Sequence, residues 1–175
     1  MFELIDVNLE KEMDDALHYV AKNLEESGHN PKPVLLHSFK VSMSLYSYGY
    51  DRDVIIASIL HDLIEDTDVT KEDIEKEYGS KIANIVEAVS FNPNIEDKLL
   101  QAKSMFENCI EYGKDALLVK CADLLDNINF VHLGADDIKP KLLKKYKLFA
   151  RMSKKYIGDE KIYKKLTSKI RKIIK

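Results

Sequence analysis

One short segment of the chain combines a histidine with three carboxylates. Residues 59–67 read Ile-Leu-His-Asp-Leu-Ile-Glu-Asp-Thr, so His61 precedes Glu65 by four positions and Asp62 precedes Asp66 by four. Side chains four positions apart lie on the same face of an α-helix, and this spacing predicts that all four share one face. Carboxylates crowded in this way repel one another, and a bound divalent cation would relieve the repulsion. Taken alone, the segment is also compatible with an exposed acidic helix end.

Two further polar residues interrupt apolar helical patterns. His37 lies within a run of aliphatic and aromatic residues, and Asp123 lies within Val-Lys-Cys-Ala-Asp-Leu-Leu-Asp-Asn-Ile, residues 119–128. Burying an aspartate is costly unless it is paired or bound to a metal, so Asp123 requires a partner. Lys120 and Asn127 stand three positions before it and four after it, on the same predicted helix face.

The order of these residues resembles that of a known superfamily. A histidine, a His-Asp doublet and a distant aspartate, here His37, His61-Asp62 and Asp123, look like the ligand set of the HD-domain superfamily of metal-dependent phosphohydrolases. Residues 61–67 are similar to the H-D-x-x-E-D-T block of the hydrolase domain of RelA/SpoT proteins, which remove pyrophosphate from guanosine tetra- and pentaphosphate (ppGpp). The segment around Asp123 likewise resembles that family's K-L-A-D-R-L-H-N-M block.

This resemblance implies a helical fold and a metal centre. The similar segment spans about residues 33–133. The synthetase domain of long RelA/SpoT proteins has no counterpart in the sequence, which implies a small stand-alone hydrolase. Two imidazoles and two carboxylates suit Mn²⁺, Fe²⁺ or Zn²⁺, and Mg²⁺ is a further possibility. The resemblance favours Mn²⁺, with a bound water as the nucleophile. The metal ligands that it implies are His37, His61, Asp62 and Asp123.

The resemblance also implies roles for the neighbouring polar residues. Glu65 and Asp66 are the candidate catalytic acids, because one of them could orient the attacking water or protonate the leaving oxygen. Lys120, Asn127 and Lys40 are candidates for contacts with the phosphate or sugar of a nucleotide. Ordinary salt bridges and helix capping are the alternative roles for these three residues.

Departures from the family pattern leave the substrate open. Val34 stands where the family commonly has a tyrosine, Ser38 where it has a proline, and Leu124 and Asp126 replace an arginine and a histidine. The metal and acid residues match, whereas the residues that hold the base do not. The leading hypothesis is therefore ppGpp hydrolysis, and the second is another nucleotide or phosphoester, such as a deoxynucleotide. The third is a non-catalytic sensor or interaction module whose basic end binds nucleic acid or protein.

The elements that must position these residues are predicted to be helical throughout. Apolar residues recur at steps of three and four, and no segment alternates with the period of a strand. We predict an all-α, compact, single-domain bundle of the HD-domain type with about eight to nine helices. The expected helices cover about residues 9–28, 33–48, 54–66, 70–79, 80–91, 95–112 and 115–133, followed by two more that are split near Gly158.

Charge is distributed very unevenly along the 175 residues, although the formal net charge is only -3. Residues 1–138 hold 28 acids and 12 bases, whereas residues 139–175 hold 2 acids and 15 bases. Because the basic part keeps apolar residues at helical spacing, we predict that helices of about residues 138–174 pack on a core of about 33–133, within one domain of residues 1–175. A nucleic acid partner is thus not favoured.

The remaining features of the sequence predict a cytoplasmic protein. The first residues are acidic, and no apolar run is long enough to span a bilayer. Cys109 and Cys121 have no metal-binding spacing and are predicted to be free, buried thiols. The expected partner is a nucleotide or another phosphorylated small molecule, without a membrane, and a homo-oligomer is compatible with the sequence.

Overall fold

A computed structural model describes residues 6–30, 33–133 and 138–174, and within these ranges the chain forms helices and no strand. The prediction of an all-α fold is confirmed. The ten α-helices of this described part are α1 (Val7–Ser27), α2 (Val34–Tyr46), α3 (Arg52–Leu60), α4 (Leu63–Asp66), α5 (Lys71–Tyr78), α6 (Ser80–Val89), α7 (Lys98–Tyr112), α8 (Lys114–Asn127), α9 (Lys139–Ile157) and α10 (Lys161–Ile174), with a 3-10 helix over Ile128–Leu133 between α8 and α9.

Local sequence signals explain where several helices begin and end. Asp6 caps α1 by accepting hydrogen bonds from the amides of Asn8 and Leu9. Thr70 and Asp73 form a reciprocal capping box at the start of α5, where the sequence predicts a helix start. Gly113 separates α7 from α8 with a φ of 122°, a backbone conformation that glycine adopts without steric cost.

The predicted helix over residues 54–66 is interrupted at the His-Asp doublet, so that prediction was wrong in one respect. Helix α3 ends at Leu60 and the short α4 begins at Leu63. The imidazole Nδ1 of His61 lies 2.8 Å from the carbonyl oxygen of Ser58. In a continuous helix that carbonyl would accept from the amide of residue 62, so the imidazole competes with the helix for its acceptor. The doublet therefore lies in a turn between two helices.

Two central helices, α3 and α8, position the His-Asp doublet and Asp123. Every residue of α3 from Val54 to Leu60 is buried, and so is every residue of α8 from Ala116 to Leu125. Helix α3 packs against α1, α2, α6 and α8, while α8 also contacts α2, α6, α7, α9 and α10. A helix that is apolar on all sides lies in the interior; α3 follows this rule from Val54 to Leu60, whereas α8 also buries Lys120 and Asp123. The doublet, which follows α3, and Asp123, which lies on α8, are consequently held by the most deeply buried helices of the fold.

The basic helices α9 and α10 pack against α7 and α8. Phe149 of α9 meets Phe106 of α7 edge to face, with ring centroids 5.1 Å apart. Cys109 and Cys121 are free and buried, as the sequence predicts. In the described ranges, no helix is both long enough and apolar enough to cross a bilayer.

Candidate metal centre

Three side chains from separate segments of the fold converge in the interior. His37 comes from α2, His61 from the turn after α3, and Asp123 from the middle of α8, and one donor atom from each lies within 4.8 Å of the others. The Nε2 atoms of the two imidazoles are 3.3 Å apart. Asp123 Oδ1 lies 3.3 Å from the Nε2 atom of His37 and 4.0 Å from that of His61. These donor types and separations suit a transition-metal ion.

Asp62 adjoins this cluster from the more open side. Its Oδ1 lies 3.1 Å from His61 Nε2, and its Oδ2 lies 3.7 Å from His37 Nε2. The Asp62 side chain is 22% exposed, whereas that of Asp123 is 6% exposed. The structure thus brings all four predicted ligands together, with three in the tight group and Asp62 at its edge.

The outer nitrogens of both imidazoles are occupied. His61 Nδ1 donates to the Ser58 carbonyl oxygen, which can only accept, and His37 Nδ1 lies 2.8 Å from Asp126 Oδ2. In the neutral tautomers these bonds define, both Nε2 atoms carry lone pairs that face each other and the Asp123 carboxylate. Such a group of acceptors attracts positive charge, either a second proton on His37 or a cation between them. Imidazoles oriented by second hydrogen bonds are typical of metal ligands.

The ionisation of His37 shows the same demand for positive charge. Burial lowers the pKa of His37, but the hydrogen bond and the negative charge of Asp123, together with the charge of Asp62 and the hydrogen bond of Asp126, outweigh burial and raise it to about 9. A proton is thereby attracted to the place where the donor atoms converge. The residues present therefore fit a bound divalent cation.

Asp123 is held from both sides by residues of its own helix. The ammonium Nζ of Lys120 lies 2.8 Å from Asp123 Oδ2, and the amide of Asn127 donates to Asp123 Oδ1. Burial raises the pKa of Asp123, but the charge of Lys120 and the two histidines hold it well below its usual range. Burial lowers the pKa of Lys120, yet the charges of Asp123 and Glu65 raise it above its ordinary value. Lys120 and Asp123 thus form a buried ion pair.

Glu65 lies close to the cluster, and burial has the largest effect on its ionisation. Its Oε1 accepts a hydrogen bond of 2.8 Å from the Phe91 amide. Burial raises its pKa to about 7, aided by the charges of Asp62 and Asp123, although the charge of Lys120 opposes this rise. A carboxyl group with a pKa near neutrality can either donate or accept a proton at physiological pH.

Asp66 and Lys40 occupy different surroundings. The carboxylate of Asp66 accepts from the side-chain amide of Asn30, at 2.9 Å and 3.0 Å for its two oxygens. This contact ties the loop before α2 to α4. Lys40 is exposed and its Nζ lies 5.8 Å from the ring centroid of Phe130. Of the predicted substrate contacts, Lys120 and Asn127 lie at Asp123, whereas Lys40 is paired with an aromatic ring.

Several residues of the site have no counterpart among the predicted functional residues. Asp126 orients His37, Asn30 holds Asp66, and the backbone groups of Ser58 and Phe91 hold His61 and Glu65. Asp126 did carry a signal, because it is a second acid in the apolar pattern of α8. Backbone partners carry none, since every residue type offers the same amide and carbonyl.

Comparison with known proteins identifies relatives. The chain is 28% identical over 161 residues to a guanosine-3′,5′-bis(diphosphate) 3′-pyrophosphohydrolase of Aquifex aeolicus, covering 82% of this chain and 23% of the relative. It is 33% identical over 119 residues to the Drosophila melanogaster protein of that activity named MESH1, covering 65% of this chain and 66% of the relative. The chain thus spans less than two thirds of the length of either relative.

Solved structures share the fold. A protein described as a metazoan ortholog of SpoT that hydrolyzes ppGpp superposes with a TM-score of 0.78 at 24% identity, over 92% of this chain and 94% of that one. The crystal structure of lmo0812 from Listeria monocytogenes EGD-e gives a TM-score of 0.69 at 19% identity, over 83% of this chain and 100% of that one. An HD domain family model matches residues 16–154. The matched range contains the converging histidines and aspartates, and the chain belongs to the HD domain family.

Proposed function

We propose that this chain is a metal-dependent phosphohydrolase that removes pyrophosphate from guanosine 3′,5′-bis(diphosphate) (ppGpp). The observation that carries the proposal is the convergence of two oriented imidazole Nε2 atoms on the buried carboxylate of Asp123. The names of the Aquifex and Drosophila relatives support the choice of substrate.

The residues His37, His61, Asp62 and Asp123 would hold a divalent ion, and Mn²⁺ is the proposed metal, ahead of Fe²⁺, Zn²⁺ and Mg²⁺. Such an ion supplies Lewis-acid chemistry and lowers the pKa of a bound water. The chain itself supplies orientation. The Ser58 carbonyl and Asp126 fix the two imidazoles, and the Lys120 ammonium fixes the rotation of the Asp123 carboxylate.

Glu65 is the proposed proton-transfer residue. Its raised pKa allows it to accept a proton from the attacking water or to donate one to the leaving oxygen. The Phe91 amide fixes one carboxyl oxygen of Glu65, and the other can face the reactants. Asp66 is the second proposed acid. Because the Asn30 amide contacts both of its oxygens, its role includes attaching the loop before α2 to the catalytic segment.

The three proposed substrate-contacting residues differ in their exposure and in their present partners. Lys120 is buried and paired with Asp123. Its effect on the phosphate would therefore be indirect, because it would position the Asp123 carboxylate. Asn127 donates one amide hydrogen to Asp123 and retains a second for a ribose or phosphate oxygen. Lys40 is exposed one helical turn beyond His37, where a phosphate oxygen could replace the ring of Phe130 as its partner.

A release assay tests the proposal directly. Purified protein with Mn²⁺ should liberate pyrophosphate from ppGpp, and a metal-stripped sample and the Asp62→Ala variant should not. Asp68→Ala is the matched control, because Asp68 is an exposed acid of the same segment, just beyond α4. No release by the wild type with Mn²⁺, or equal release by Asp62→Ala, would refute the proposal.

A different nucleotide is the second candidate, and one observation favours it. Val34, which stands where the family commonly has a tyrosine, is only 5% exposed. A buried valine offers no ring on which a guanine base could stack. A panel of ribonucleoside and deoxynucleoside triphosphates in the same assay separates the candidates. Turnover of a panel member without turnover of ppGpp would retain the metal chemistry and exclude guanosine specificity.

Four further predictions accompany the proposed function. They are a cytoplasmic location, compatibility with a homo-oligomer, the lack of a membrane partner with a nucleic acid partner not favoured, and the division into a core of about residues 33–133 with the basic helices packed on it. Turnover would exclude the hypothesis of a non-catalytic sensor. Steeply salt-dependent binding of nucleic acid, without turnover, would favour that hypothesis.

A further inference from the structure

A cleft of 530 Å³ lies between the 3-10 helix, the first turns of α9 and the second half of α10. Its floor is aliphatic and its rim carries an amide and three lysines. Within the described residues, this rim brings together lysines from the start of α9 and from the second half of α10. The lining residues are Ile128, Asn129, Val131, Lys139, Leu143, Lys169, Lys172 and Ile173.

Two lysines of α10 give the cleft an excess of positive charge. Lys169 and Lys172 stand three positions apart and share one helix face. The Nζ atom of Lys169 donates to the neutral side-chain oxygen of Asn129 at 2.6 Å, and neither lysine forms an ion pair with a carboxylate in the described ranges. Burial and the positive charge of the neighbouring Lys165 lower the pKa of Lys169, and the negative charge of Asp126 only partly opposes them. A bound anion would offset the remaining positive charge.

The cleft adjoins the metal centre through the 3-10 helix. Asn129 lies three residues beyond Asp126, whose carboxylate holds the imidazole of His37. Since the rise is about 1.5 Å per residue in α8 and about 2 Å in the 3-10 helix, this separation is roughly 5 Å along the axis. The charge of Asp126 also acts on Lys169. The two sites are therefore linked through Asp126, and a ligand with two separate phosphate groups would span them.

We propose that this cleft binds the 5′-diphosphate of a guanosine 3′,5′-bis(diphosphate) substrate through Lys169 and Lys172. The inference rests on the proposed function, which places the 3′-diphosphate at the metal centre. In such a nucleotide C3′ and C5′ are separated by a single ring carbon, so the second diphosphate stays within reach of a neighbouring site. Lysine ammonium groups bind phosphate as point charges, and the aliphatic floor weakens screening by water.

The experiment compares two substrates on four proteins. The substrates are ppGpp and the analogue that has a 5′-hydroxyl in place of the 5′-diphosphate. The proteins are the wild type, Lys169→Gln, Lys172→Gln and the control Lys164→Gln, which removes an exposed lysine of α10 that does not line the cleft. We expect each cleft variant to raise KM for ppGpp about tenfold with kcat unchanged, and to leave KM for the analogue unchanged.

Other outcomes overturn the inference or separate it from the proposed function. Equal KM values in all four proteins, or equal increases for both substrates, would overturn the 5′-diphosphate site. No turnover of either substrate by the wild type would refute the proposed function, and titration of the metal-stripped protein with inorganic pyrophosphate would then decide. If inorganic pyrophosphate binds and Lys169→Gln weakens that binding, the cleft is a site for free phosphate anions and the substrate assignment is overturned. If pyrophosphate does not bind, the anion site and the substrate assignment are both overturned. Thermal unfolding by circular dichroism confirms that each variant is folded.

Discussion

Two aspartates face the same pair of imidazoles and are held in opposite ways. Asp123 lies in the middle of α8, where a lysine and an amide from its own helix bind its two oxygens. Asp62 lies in the turn between α3 and α4, is more exposed, and within the described residues its carboxylate contacts the two histidines and no lysine or arginine. The first carboxylate is fixed before any metal binds, whereas the second can still move.

This difference shows how one site can be both rigid and open. Preorganised groups bind without the cost of being ordered, which a buried helix provides for Asp123. A site that must admit a substrate also needs an edge, and the break in the helix places Asp62 there. We therefore expect Asp123 to support both stability and activity, and Asp62 to support activity alone.

The largest effect is expected for Asp123→Ala. This change should abolish activity and also lower the free energy of unfolding by about 3–5 kcal/mol, because it leaves the Lys120 ammonium buried without its partner. Urea unfolding with a chelator present measures this loss apart from metal binding. The double variant Asp123→Ala/Lys120→Met should recover much of the stability and none of the activity. A single variant as stable as the wild type would contradict the described role of the ion pair.

Asp62→Ala should abolish activity to the same degree with little cost in stability. Since Asp62 is partly exposed and pairs with no lysine or arginine in the described ranges, we expect the free energy of unfolding to change by less than about 1 kcal/mol in chelator. The same urea titration, run beside Asp123→Ala, makes the comparison. Similar losses of stability in the two variants would remove the distinction between the two aspartates.

Glu65→Gln extends the comparison to a half-buried carboxyl group that, within the described residues, has no directly bound cation. We expect a loss of roughly 10²–10⁴-fold in kcat with retained metal binding. The wild-type pH profile should have a limb near pH 7 that Glu65→Gln lacks. Activity that rises through pH 7 would identify the base that activates water, and activity that falls would identify the acid for the leaving oxygen.

Stability provides a second test for Glu65. Its pKa in the folded state is raised from 4.5 to about 7, so the fold favours the protonated form. The stabilisation is fully present below pH 4.5 and is lost as pH rises towards 7. The free energy of unfolding of Glu65→Gln should therefore fall less than that of the wild type between these pH values. Parallel curves for the two proteins would show that Glu65 titrates normally.

The smallest effect is expected for Asp126→Ala, which removes a group that orients a ligand. Losing the hydrogen bond to His37 Nδ1 should weaken metal binding by about 10–100-fold. Asp126→Asn, which keeps an oxygen acceptor, should lose less. Competition with a metal-sensitive dye measures both variants. Equal affinities for Asp126→Ala and the wild type would show that packing alone orients His37.

Residue type and spacing predicted the fold class and the approximate extent of most helices. They also predicted that Asp123 has a partner, because an acid within an apolar helical pattern is costly to bury alone. The break at the His-Asp doublet was not predictable from periodicity, since α3 and α4 together preserve a helical pattern and a side chain competes for one carbonyl. Contacts between distant segments, such as Asn30 with Asp66, depend on tertiary packing that no local pattern reports.

The acceptor that orients His61 has a consequence for how this site can change over generations. It is a main-chain carbonyl, that of Ser58, so a point mutation at that position changes the side chain and leaves the acceptor in place. The acceptor for His37 is the side chain of Asp126, which one nucleotide change can remove. The orientation of His61 is thus unaffected by a change of side chain at its acceptor, whereas a substitution at Asp126 can alter the orientation of His37. Drift in metal preference among descendants of this chain should therefore begin on the His37 side.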